Sequence, residues 1–167
     1  TPGTGNTYCS TETVTIPDNL PAGANSVLNV SDTTTISDLN VSLDVTHSWI
    51  GDVAISLNHS ATTAELFDRP GYSGTGFGCS GDDLDNIADD EAATAFETSC
   101  ANTVPAYPAG NSYIPGDPSG PNLAAFDGQS VAGAWTLNVS DNAAGDTGIL
   151  NGWCLIVGGG GPTATPT

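Results

Sequence analysis

Apolar and polar residues alternate with a period of two in short runs, and Gly, Pro, Asn and Asp separate the runs. In the clearest case Leu39, Val41, Leu43 and Val45 alternate with Asn40, Ser42, Asp44 and Thr46, so one face packs on a core and the other meets water. The same reading places strands at 12–16, 26–30, 36–46, 52–58, 63–68, 134–140 and 148–157, with a weaker one at 112–113. Helical periodicity is nearly absent. One short helix is expected at 89–96, with Asp89 or Asp90 as its N-cap. The pattern is all-β, and two half-buried sheets facing each other make a β-sandwich. The stretch 68–113 is too long for an ordinary connection in a compact domain, which marks it as functional or ordered by a metal. In the last strand Trp153, Leu155 and Val157 point one way and Cys154 and Ile156 the other.

Composition sharpens this picture at the two ends. Residues 1–6 are small and polar, and 158–167 run from a glycine tract into alternating Pro and Thr, so 1–8 and 158–167 read as linkers around one domain at 9–157. The chain has no Met and no apolar run approaching a membrane span, and it is expected to be a segment of a longer exported precursor. A net charge of −18 argues against nucleic acid and against anionic membrane, since both would be repelled over the whole surface.

The charge is concentrated. Asp82, Asp83, Asp85, Asp89, Asp90 and Glu91 put six carboxylates into ten residues, in a chain with one Arg, no Lys and two His. Internal ion pairing cannot neutralise them. Crowded like charges raise each other's pKa, so an ordered loop of this composition calls for a cation with hard oxygen ligands, foremost Ca²⁺. An isolated charge run is more often a solvated, disordered loop; here Leu84, Ile87, Ala88 and Phe96 interleave with the acids and cysteines flank them, which favours order.

Cys9, Cys79, Cys100 and Cys154 include no C-x-x-C pair for zinc or redox chemistry, and disulfides are the expected use. Of three connectivities the preferred one is Cys79 with Cys100, bracing the acidic loop, and Cys9 with Cys154, tying the ends. If Trp153 faces the core, Cys9 must reach Cys154 from a segment laid over the outer face. Bases for nucleophilic catalysis are limited to His47 and His59, neither in a recognisable motif, and His47 reads as a buried structural imidazole bonded across a turn. EF-hand spacing fails because Ile87 stands where a ligand is needed. Paired carboxylates for glycoside hydrolysis exist in number, but ligand duty absorbs the same residues. Four N-x-S sequons, at Asn29, Asn40, Asn58 and Asn138, fit polar strand alternation.

Several spaced motifs carry a resemblance. Val45-Thr46-His47-Ser48-Trp49-Ile50-Gly51-Asp52-Val53 is the most distinctive, preceded by Thr15-Ile16-Pro17-Asp18 and Ile36-Ser37-Asp38-Leu39-Asn40-Val41. Leu66-Phe67-Asp68-Arg69-Pro70-Gly71, Asp89-Asp90-Glu91-Ala92, Phe126-Asp127-Gly128 and Gly133-Ala134-Trp135 follow, and Asp146-Thr147-Gly148-Ile149-Leu150-Asn151-Gly152-Trp153 comes last. In this order they resemble the P domain (P/Homo B domain) of subtilisin-like proprotein convertases, which also occurs in bacterial secreted proteases. The resemblance implies a jelly-roll β-sandwich, in bacterial members often holding calcium, and the residues add to it a long calcium-binding acidic loop. It implies no catalytic residue, a secreted location, and a neighbouring catalytic domain in the same precursor, of the subtilisin-like serine protease kind, that this domain stabilises or regulates. It also places Asp52 at a strand end near Asp89, Asp90 and Glu91, where Ca²⁺ would find its oxygens. A long Cys-bracketed insertion around 71–111 and Cys154 itself depart from the family pattern. The isolated domain is expected to be a monomer. The alternative reading is an extracellular adhesion module recognising a carbohydrate or protein target, since fold alone does not separate the two.

Overall fold

The structure, a computed structural model, describes residues 5–116 and 122–158. It is all-β, with two sheets and almost no helix. In chain order the strands are β1 (Asn6–Ser10), β2 (Val14–Ile16), β3 (Leu20–Val30), β4 (Leu39–His47), β5 (Val53–His59) and β6 (Thr62–Asp68). β7 (Leu84–Ala88), β8 (Ser112–Tyr113), β9 (Gly133–Asp141) and β10 (Gly148–Val157) complete the set. The larger sheet runs β1-β10-β4-β7-β8, with β2 also paired to β10, and the smaller runs β3-β9-β5-β6.

Alternation along the strands builds one core from both sheets. Val41, Leu43 and Val45 of β4 and Leu150, Trp153 and Leu155 of β10 are buried together with Ile55 and Leu57 of β5 and Trp135, Leu137 and Val139 of β9. Both core tryptophans satisfy their polar edges, as burial demands. The Trp135 indole N–H donates to the Val131 carbonyl at 2.8 Å and its ring stacks on His59 at 4.0 Å, while Trp153 donates to the Ser26 hydroxyl at 3.0 Å.

Every strand expected from the alternation is present. Two more were not foreseen. β1 begins at Asn6, inside the stretch 1–8 read as a linker, and its small polar residues pair in register with β10. Cys9 therefore meets Cys154 as its neighbour on the adjacent strand and bonds to it there, rather than crossing the outer face. Among the described residues no cysteine is free, since Cys79 bonds to Cys100. Of the tail read as a linker, 159–167 lie outside the described residues.

The second unforeseen strand is β7, which runs through the middle of the acidic stretch. Leu84, Asn86 and Ala88 face inward and Asp85 faces solvent, and the strand pairs antiparallel with β4 from Val45↔Leu84 to Val41↔Ala88. The acidic residues hid an ordinary period-two strand. Apolar packing orders the rest of the long segment. Phe96 lies 5.2 Å from Phe67 and 5.3 Å from Tyr107, and Tyr107 lies 5.1 Å from Tyr113, with the Tyr107 hydroxyl donating to the Phe96 carbonyl at 2.8 Å. The one α-helical turn among the described residues, α1 (Phe96–Ser99), starts where the expected helix 89–96 ends. Asp89 forms a turn instead, its carboxylate accepting the Glu91 backbone N–H at 2.9 Å. No helix among the described residues is long and apolar enough to cross a membrane.

Candidate functional site

Because β7 runs antiparallel to β4, the acidic residues that precede it and those that follow it stand at opposite ends of the larger sheet. Asp82 and Asp83 lie at the His47 end. The Asp82 carbonyl accepts from Ala106 N–H at 2.6 Å, and Asp83 takes a left-handed backbone (φ 64°) while its carboxylate accepts the His47 backbone N–H at 3.0 Å. Asp85 is exposed in the middle of β7, opposite Asp44. Asp89, Asp90 and Glu91 come together at the Leu39 end. Asp52 does not join them: it closes the turn Ile50–Asp52 at the His47 end, where Ile50 N–H donates to the Gly81 carbonyl. The resemblance implied Asp52 beside Asp89, but β7 carries the chain along β4 and leaves the two at opposite ends.

At the Leu39 end the cluster grows to five carboxylates, because Asp38 and Asp127 enter the electrostatic neighbourhood of the other three. Asp89 is completely buried, and its Oδ2 has no hydrogen-bond partner. Asp90 accepts backbone N–H groups from Leu123 at 3.2 Å and Ala124 at 2.8 Å, which fastens the 3-10 turn Leu123–Phe126 over the cluster. Burial pushes the Asp90 carboxyl up, and the charges of Asp89 and Asp38 push it further against those two N–H groups. Glu91 is exposed as a residue, yet its carboxyl is pushed up to about 7, first by partial desolvation and then by the neighbouring Asp89 carboxylate and the charges of Asp38 and Asp90. Asp127 rises through burial and the charges of Asp38 and Asp90. Asp89 and Glu91 also line an open cavity of about 360 Å³ with Gly110, Asn111 and Ser112.

These carboxylates form an oxygen-rich neighbourhood in which backbone N–H groups hold Asp89 and Asp90 in place. Among the described residues no three acidic, His or Cys side chains converge as a ready-made metal centre. The donor set nevertheless suits a hard cation: every side-chain donor is a carboxylate oxygen, one of them buried without a partner, and an isolated buried carboxylate oxygen is costly. Asp38 and Asp127 were missed as site residues. They lie 44 residues before and 36 after the acidic run, and although each sits in a motif, Ile36-Ser37-Asp38 and Phe126-Asp127-Gly128, local sequence does not link them to that run.

At the His47 end, the His47 Nε2 and Asp141 Oδ2 are 2.8 Å apart and fully buried, and the imidazole Nδ1 accepts the Trp49 backbone N–H at 3.0 Å. Both ring nitrogens are thereby committed, and among the described residues no hydroxyl joins the pair. His47 fixes the turn, as expected of a structural imidazole. Arg69 places its Nη2 4.0 Å from Asp52 and stacks on Tyr72 at 3.7 Å.

The model of the proprotein convertase P-domain matches residues 116–157, which span β9, β10 and the turn before them. The chain is similar to this P-domain family. The P-domain match is joined by two curated relatives, the calcium-dependent proteases of Trichormus variabilis and of a Nostoc species. They are 28% and 27% identical to this chain over 135 residues, covering 78% of it and 15% of each protease. The chain thus spans about 15% of the length of these relatives. Among solved structures, the serine protease of Aeromonas sobria, alone and in complex with the chaperone ORF2, aligns at a TM-score of 0.50 and 14% identity, over 93% of this chain and 27% of the protease chain. At that identity the likeness concerns the fold.

Proposed function

We propose that the chain is a non-catalytic, calcium-binding accessory P domain of a secreted multidomain protease, of the subtilisin-like serine kind, which it stabilises through a docked face. The coarser part, a protease-associated domain, follows from the P-domain match and from the protease names of the relatives. On this reading the two sheets have jelly-roll connectivity, and the two disulfides suit an oxidising, extracellular setting. The observation that carries the calcium assignment is the buried, unpartnered Oδ2 of Asp89 among Asp38, Asp90 and Glu91.

In the calcium-bound domain Asp89 and Glu91 are the principal ligands, with Asp38 and Asp90 completing the negative shell. Bound Ca²⁺ supplies the positive charge that this neighbourhood lacks, and its role is structural. The residues of the chain do the rest: Asp90 holds the turn Leu123–Phe126, and the turn at Asp89 joins β7 to the segment leading into α1. The cation would therefore lock three segments that otherwise repel. The names of the curated relatives accord with this reading. The test is thermal unfolding of the domain in calcium and in a chelator, together with the yield of the full precursor with and without the domain. Higher melting in calcium and a lower yield on deletion are expected. Identical melting, or an unchanged yield, removes the corresponding half of the proposal.

A further inference from the structure

A second site lies at the His47 end of the larger sheet, away from the carboxylate cluster, and owes nothing to the calcium reading. A cavity of about 230 Å³ is lined by Trp49, Asp52, Phe77, Ala143, Ala144 and Asp146. Two aromatic rings and two carboxylates face one small space. Asp52 is only 2% exposed, and its Oδ1 makes no hydrogen bond, the nearest cationic group being Arg69 at 4.0 Å. Phe77 is 70% exposed, an unusual position for a large apolar side chain that contributes nothing to the core. It is held in place nonetheless: the Trp49 indole N–H donates to the Phe77 carbonyl at 2.7 Å and the two rings meet edge-on at 6.5 Å. The Cys79–Cys100 disulfide and the bond from Cys79 N–H to the Pro70 carbonyl close the loop that carries Phe77.

The chemistry of the cavity selects its occupant. An apolar side chain would desolvate the Asp52 carboxylate, whose Oδ1 makes no hydrogen bond, and the Asp146 carboxylate, which accepts from the Ser48 hydroxyl at 2.9 Å, and an anion would be repelled. A metal ion would gain nothing from the aromatic walls. A cationic head on an alkyl stem satisfies both halves, pairing with the carboxylates while the stem and charge lie against Trp49 and Phe77. We propose that this cavity docks a lysine or arginine side chain from a basic segment of a partner polypeptide. The chain has no Lys, and its one Arg, engaged with Tyr72 and the Gly51 carbonyl, reaches Asp52 only at 4.0 Å, beyond hydrogen-bond distance. A net charge of −18 steers basic partners toward it.

The test uses the isolated chain with calcium in excess, so that the other site is saturated. Blocked tripeptides centred on Lys, Arg, norleucine and Glu are titrated while tryptophan fluorescence and the Trp49 indole N–H resonance are followed. Trp135 and Trp153 are buried in the core, so the response reports Trp49. The Lys and Arg peptides are expected to give a saturable change that added salt weakens, and norleucine and Glu peptides none. Asp146→Asn is expected to weaken binding roughly tenfold, and Phe77→Ser to weaken it with melting unchanged, because Phe77 is surface-exposed. No saturable response to either cationic peptide, equal affinity for norleucine, or undiminished affinity in both variants would overturn the proposal. Recovery of a response only after calcium is removed would also overturn it, by assigning the pocket to metal.

Discussion

Asp52 is a carboxylate whose charge works against the fold, and replacing it with Asn should stabilise the domain at neutral pH. Burial first, and then the charges of Asp141 and Asp146, push its pKa from 3.8 up to about 6, against the opposing pull of His47 and Arg69. An acid whose folded-state pKa is raised favours folding when protonated. The penalty is absent below about pH 4, grows as pH climbs through the interval from 3.8 to about 6, and is complete above it. The full displacement corresponds to roughly 3 kcal/mol at pH 7. Relaxation around Arg69 and water entering the open cavity reduce this, and the Asn amide brings donors that need partners, so about 1 to 2 kcal/mol is the expected gain. For a domain of this size that raises Tm by roughly 3 to 6 °C. The assay is calorimetric melting of wild type and Asp52→Asn in a chelator across pH 3.5 to 7.5 (working range about neutral to acid). The gain should appear at pH 7 and vanish near pH 3.5. A variant that melts lower at pH 7, or a difference independent of pH, would refute the reasoning.

Three further outcomes follow from packing and connectivity. Gly148→Ala should lower stability by roughly 2 kcal/mol or more in urea unfolding, because the added methyl meets the His47 ring and the Thr46 carbonyl, and His47 is pinned by Asp141. Replacing Cys79 and Cys100 together by Ser should cost about 3 kcal/mol on the chain-entropy account for a span of 21 residues, and the Phe77 loop should show the largest rise in amide exchange. Trp135→Ala, which empties a fully buried site between His59 and Phe126, should cost about 3 to 5 kcal/mol in the same unfolding assay.

The strands were legible wherever one face is apolar and the other polar, as in β4 and β10, because the period of two is set by backbone geometry alone. β7 was not, since Asp85 on its solvent face belongs to a run of acids whose charge outweighed the alternation of Leu84, Asn86 and Ala88. β1 was missed for the opposite reason: Asn6, Thr7 and Ser10 have no hydrophobic signal, and its place depends on edge pairing to β10 and on the Cys9–Cys154 bond. The acidic cluster was visible as a local run, but which of its members share a site depends on register. β7 separates Asp82 and Asp83 from Asp89, Asp90 and Glu91, and long-range packing adds Asp38 and Asp127 from elsewhere in the chain. Asp52 was expected as a cation ligand beside Asp89, and its surroundings are Trp49, Phe77 and Asp146 instead.

The calcium assignment at Asp89 is tested most directly by calorimetric titration of chelator-stripped protein with calcium chloride. Wild type, Asp89→Asn and Asp85→Asn are compared after each is shown to melt cooperatively. Wild type and Asp85→Asn should bind Ca²⁺ alike, since Asp85 is exposed in mid-strand, whereas Asp89→Asn should lose the binding heat or weaken affinity at least roughly tenfold. Equal affinity in wild type and Asp89→Asn, or no calcium heat in any of the three, would contradict the account.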